Sequence, residues 1–136
     1  MYMNTYPSIS LTADWQCEYF EINPDLYELA DGHVVPSLRG WSPEKRFDDS
    51  WVAWLQKIFA LDINDVCVNY TLHIESAPLG AVIYFNNARL AQYLSKPLAI
   101  DVTDVITWEQ NTLAFRIVCG TNGTFSGVYL RPTPCN

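Results

Sequence analysis

Hydrolytic and group-transfer chemistry needs two or three reactive side chains held together, and the sequence offers six glutamates, two histidines and four cysteines for that work. His33 and His73 are not accompanied by a Gly-x-Ser-x-Gly nucleophile turn. Cys67 and His73 share one strand face, but six residues of extended chain separate them by about 20 Å, which excludes a thiolate–imidazole pair. Cys17, Cys67, Cys119 and Cys135 show no Cys-x-x-Cys spacing and no nearby histidine pair, so a zinc site is not expected. Asp101 and Asp104 are the nearest approach to a calcium loop, yet such a site needs six or so oxygens at one point. They read as turn formers, as does Asn86. The expectation is no catalytic residue, no metal and no cofactor.

The elements that would have to position any site are short strands. Trp15, Cys17 and Tyr19 alternate with Gln16, Glu18 and Phe20, and Val66, Val68, Tyr70, Leu72 and Ile74 alternate with Cys67, Asn69, Thr71, His73 and Glu75. This period of two marks half-buried strands. Trp51 to Leu61 has apolar residues on both parities. Ala81–Phe85 and Arg89–Tyr93 form a hairpin about the Asn86-Asn87 turn, because adjacent asparagines tolerate positive φ. Leu98–Val102, Thr112–Cys119 and Phe125–Arg131 complete the set, the last closed by Pro132 and Pro134. Residues 21 to 50 carry Pro24, Gly32, Pro36, Gly40 and Pro43 and read as an irregular connection with a helical turn over Leu26 to Ala30. Eight strands with frequent turn signals predict an all-β, eight-stranded antiparallel jelly-roll sandwich spanning 1–136 as one domain.

The chain has 136 residues with a net charge of −7, which argues against nucleic acid and anionic membrane surfaces as partners. No uncharged stretch is long and apolar enough to span a bilayer. No basic residue precedes Arg39, so no export signal is read at the N-terminus and a cytoplasmic setting, with four free thiols, is the expectation.

The runs VAWLQKIFAL (Val52–Leu61), GAVIYFNNARLAQY (Gly80–Tyr93), LAIDVTDVI (Leu98–Ile106), NTLAFRI (Asn111–Ile117) and SGVYLRPT (Ser126–Thr133) resemble, in order, the N-terminal sugar-binding domain of family 2 glycoside hydrolases, the β-galactosidases and β-glucuronidases. LTADWQCEYF (Leu11–Phe20) and VVPSLRGW (Val34–Trp41) extend the likeness over about 11–133. The resemblance implies a galactose-binding-like jelly roll. It also implies that the catalytic glutamate pair belongs to a separate barrel domain, so none of the six glutamates here stands at a catalytic position. Where large members carry a long acidic loop before the final strand, this sequence has the short, acid-free segment Gly120–Ser126, and Leu94-Ser95-Lys96-Pro97 replaces a Gly-Gly-Tyr-like loop.

A non-catalytic carbohydrate-binding module is the expected function. Sugars stack their C–H faces on aromatic rings and are oriented by amide and carboxylate groups, which selects Trp41, Tyr93, Trp108, Asn122 and Phe125 as loop candidates for a neutral saccharide. For each aromatic the alternative is core packing. The other expectation is an interaction protein: Trp54 and Ile58, on the strand with two apolar faces, would be covered by a second copy or a partner protein.

Overall fold

A computed structural model describes residues 7–21, 32–61 and 67–135; the helical turn expected over 26–30 lies outside these. The described residues form ten strands and no helix: β1 (Ile9–Ser10), β2 (Ala13–Glu21), β3 (His33–Ser37), β4 (Trp51–Ala60), β5 (Val68–Ile74), β6 (Val82–Phe85), β7 (Ala88–Gln92), β8 (Leu98–Asp101), β9 (Gln110–Val118) and β10 (Val128–Pro134). They build two antiparallel sheets, β1-β10-β5-β8 and β3-β2-β4-β9-β6-β7, packed as a sandwich. The strands beyond the expected eight are the short edge pieces β1 and β3. β3 lies within the stretch read as irregular because Pro36 and a single buried residue, Val35, leave almost no periodic signal.

Alternation fixes the core. Trp15 and Cys17 of β2, Ala53 and Leu55 of β4, Leu72 and Ile74 of β5, and Leu113, Phe115 and Ile117 of β9 are buried between the sheets. The Trp15 indole donates to the Leu11 carbonyl at 2.6 Å, which satisfies its buried N–H. β4 is apolar on both parities because its outer face also packs: Val52, Trp54 and Ala114 form a second cluster with Phe20, Tyr84 and Val118. Trp54 is thus 3% exposed within the single chain, whereas Ile58 is 55% exposed.

Two expectations need correction. The four cysteines are not all free thiols, since Cys67 and Cys135 form a disulfide with Cα atoms 5.3 Å apart. The register explains it: β10 pairs Pro134 with Val68, and one step further along that ladder Cys135 falls opposite Cys67, with its amide donating to the Cys67 carbonyl at 3.1 Å. Residue spacing along the chain carries no sign of this, and the compartment argument pointed the other way. Cys17 and Cys119 are free and buried; burial pushes their thiols up to about 12 and about 11, so both stay protonated at neutral pH.

The second correction concerns the last strand, which begins at Val128 rather than Phe125 and runs through Pro132 and Pro134 instead of stopping at them. Tyr70 directs its N–H to Thr103 Oγ1 and its carbonyl to the Val102 amide, away from β10. Its partner Pro132, and Pro134 two residues on, therefore sit where a strand residue's N–H faces away from β5, and the missing donors cost the ladder nothing.

Candidate functional site

The antiparallel order separates the connections into two groups at opposite ends. The segments 75–81, 93–97 and 119–127 gather at the end where β9 finishes, joined by the 38–50 segment. The β6–β7 turn and the 102–109 segment lie at the other end, about 30 Å away along the nine residues of β9.

At the second end the local chemistry is consumed internally. Asn86 and Asn87 have φ of 49° and 68°, the tight hairpin turn read from the Asn-Asn pair. The Asn86 amide donates to the Val105 carbonyl at 2.6 Å and to Asn111 Oδ1 at 2.9 Å, and its own oxygen accepts from the Thr112 amide at 2.8 Å. Asn111, fully buried, also accepts from the Thr107 amide and donates to the Thr107 carbonyl. Asp101 accepts from the Thr103 amide and hydroxyl, which holds its carboxyl below the usual range and makes it the turn former expected. Trp108 projects here, 63% exposed, over a shallow cleft of about 380 Å³ walled by Thr107, Glu109 and Gln110. One continuous segment builds that cleft, so no groups converge on it from separate elements.

At the first end the segment 119–127 is tied down on both sides. Cys119 donates to the Trp51 carbonyl, Phe125 to the Trp41 carbonyl, and Gly40 to the Phe125 carbonyl at 2.7 Å. Leu79 donates to the Asn122 carbonyl at 2.8 Å, and the Ser76 hydroxyl reaches the Thr124 carbonyl at 2.9 Å. Gly123 has φ of +102°, and a Cβ there would stand 3.1 Å from the Ala77 carbonyl oxygen, so the close approach to residues 77–79 requires glycine. The result is a crest, residues 122–124, with a cleft on each side.

One cleft, of about 360 Å³, is mixed in character: Ser42, Glu44 and Lys45, with Pro43 between Ser42 and Glu44, face Thr121, Asn122 and Thr124 across it. Its aromatic member, Phe47, stacks on Tyr19 at 4.0 Å between centroids and carries the Arg46 guanidinium over its ring at 4.4 Å. Arg46 in turn bonds Glu44 at 2.7 Å, and the Tyr19 hydroxyl accepts from the Glu44 amide at 2.9 Å. The other cleft, of about 460 Å³, is walled by Ala77, Leu79, Tyr93 and Leu94, with Ser76 and Ser95 beside them. Both volumes are in the range of small-molecule pockets.

Of the residues singled out from sequence, Asn122 borders both clefts and Tyr93 lines the apolar one, itself largely buried. Trp41 and Phe125 stand at the same end but pack on each other, centroids 6.0 Å apart, outside the walls of both clefts. Trp108 is at the opposite end. Sequence reasoning missed Glu44, Lys45, Phe47, Leu79 and Leu94, because they come from segments without periodicity whose convergence only the sheet order reveals. Among the described residues no group of three or more His, Cys, Asp and Glu could hold a metal ion.

No protein-family model matches the sequence and no curated protein matches it. Solved structures do. A β-glucuronidase from Faecalibacterium prausnitzii superposes with a TM-score of 0.74 at 13% identity over 98% of this chain and 33% of that one. A β-glycosidase from Bacteroides vulgatus gives 0.73 at 13% over 95% and 20%, and a glycosyl hydrolase family 2 member from Bacteroides cellulosilyticus gives 0.70 at 17% over 93% and 21%. The chain spans about a fifth to a third of the length of these enzymes. The likeness first drawn from motif order is therefore matched in three dimensions: this chain has the two-sheet β-sandwich fold that occurs as one part of family 2 glycosidases.

Proposed function

We propose that this chain is a non-catalytic saccharide-binding module whose ligand sits against the Asn122 crest. The observation that carries the reading is Asn122 itself, an exposed amide on a pinned backbone, bordering two clefts whose walls come from several separate segments. An amide of that kind supplies a donor and an acceptor for adjacent sugar hydroxyls, and Ser42, Glu44, Lys45 and Thr121 add further partners on one side. The stacking role foreseen for Trp41 passes to no open aromatic face, so hydrogen bonding dominates and affinity is weak. A free energy of about −4 to −5 kcal/mol corresponds to a dissociation constant on the order of a millimolar.

Titration with neutral mono- and oligosaccharides, followed by NMR shift changes, tests this. Millimolar binding that Asn122→Ala removes and Trp108→Ala leaves intact is the expected result. Loss with Trp108→Ala alone would move the site to the other end, and no binding across a broad glycan array would overturn the reading. The purified protein should hydrolyse aryl β-galactosides and β-glucuronides at the uncatalysed rate.

A second reading, self-association over the outer face of β4, is supported by exposed Ile58 alone, because Trp54 is buried by its own chain. Light scattering on wild type and Ile58→Lys decides it: equal monomer masses remove it.

A further inference from the structure

We infer, building on the saccharide reading above, that the preferred ligand is a glycoside with an apolar aglycone rather than a free sugar, the sugar held in the cleft of Glu44 and Lys45 and the aglycone lying across the crest in the apolar one. The two clefts share Asn122, Gly123 and Thr124, so one molecule seated on the crest reaches both. Their chemistry differs, with the charged groups confined to one and the exposed leucines to the other. Glu44 and Lys45 stand on one side with the hydroxyls of Ser42 and Thr121; on the other, Leu79 and Leu94 are 48% and 62% exposed beside largely buried Tyr93.

A single exposed leucine is ordinary. Two lining one cleft on fixed backbone are a different matter: Leu79 is held by its bond to the Asn122 carbonyl, and Leu94 follows Tyr93, whose amide and carbonyl are bonded to Ala81 and Gly80. Polarity also sets the direction of binding. Sugar hydroxyls in the leucine-lined cleft would lose water without enough partners, and an alkyl or aryl group against Glu44 and Lys45 would desolvate charge. Only the arrangement with the aglycone against Leu79 and Leu94 avoids both costs.

The test compares methyl and hexyl β-glycosides of galactose and glucose by calorimetry, with hexyl triethylene glycol ether as a sugar-free control. The hexyl glycoside is expected to bind at least about tenfold tighter than its methyl counterpart, a gain that burial of two methylenes suffices to produce. The double variant Leu79→Ser/Leu94→Ser, altered at exposed positions, should abolish that gain while keeping methyl glycoside affinity. Equal affinities of the methyl and hexyl compounds, a hexyl advantage that survives in the variant, or binding of the sugar-free ether as tight as the hexyl glycoside would each overturn the inference. If methyl glycoside binding itself is absent while hexyl glycosides bind through the leucines, the saccharide reading falls and the apolar cleft stands as a site of its own. If neither binds, both fall.

Discussion

The two ends of the sandwich use the same residue type for opposite purposes. Asn111, at the end with the hairpin turn, is buried and bonded by Asn86 and Thr107, while Asn122, at the other, stands exposed between two clefts on a backbone fixed from both sides. An amide enclosed in a network stabilises the fold and leaves nothing over for a ligand; an amide presented on a rigid crest adds little to stability and is available for recognition. The disulfide strengthens the contrast, since Cys67 and Cys135 clasp β5 to β10 at the hairpin end. One end closes the sandwich, and the other, with its walls drawn from four segments, is where binding is expected.

Breaking the clasp should have the largest effect. Cys67→Ser/Cys135→Ser opens a loop of 68 residues, and chain-entropy reasoning puts the loss at about 4 kcal/mol; urea unfolding of the variant, with and without reductant, measures it, and no difference from wild type would remove the clasp from the comparison. Asn111→Ala comes next. It strips partners from the Asn86 amide and the Thr107 N–H, and a loss of about 3 kcal/mol is expected. Gly123→Ala should cost about 1–2 kcal/mol through its positive φ and the contact with the Ala77 carbonyl, and should weaken saccharide binding by displacing the crest. The smallest effect sharpens the contrast most: Asn122→Ala is expected to change stability by no more than about 0.5 kcal/mol while removing binding. A stability loss like that of Asn111→Ala would make the two ends alike.

The sandwich was legible because burial on one face writes itself as alternation. Leu72 and Ile74, or Leu113, Phe115 and Ile117, declare their strands without reference to anything distant. The Asn-Asn hairpin was equally plain, being a local consequence of positive φ. The site was only partly legible. Asn122 and Tyr93 stood out by type and position, but whether Trp41 faces a ligand or Phe125 depends on how the 38–50 and 119–127 segments pack, and that is set by contacts between residues about eighty apart. The disulfide was invisible for the same reason: it follows from strand register, and register emerges only when both sheets are assembled.

The prolines of β10 have a consequence for how this molecule behaves among its own copies. Among the described residues β1 pairs with β10 at Tyr129 and Leu130, and Leu11 and Thr12 bond Val128, so the edge beyond Leu130 would present open backbone groups to any passing strand. With proline at 132 and 134 the outward N–H groups are missing. The ladder cannot be continued there, and β10 acts as a terminator that keeps this edge of the four-stranded sheet from templating edge-to-edge aggregation.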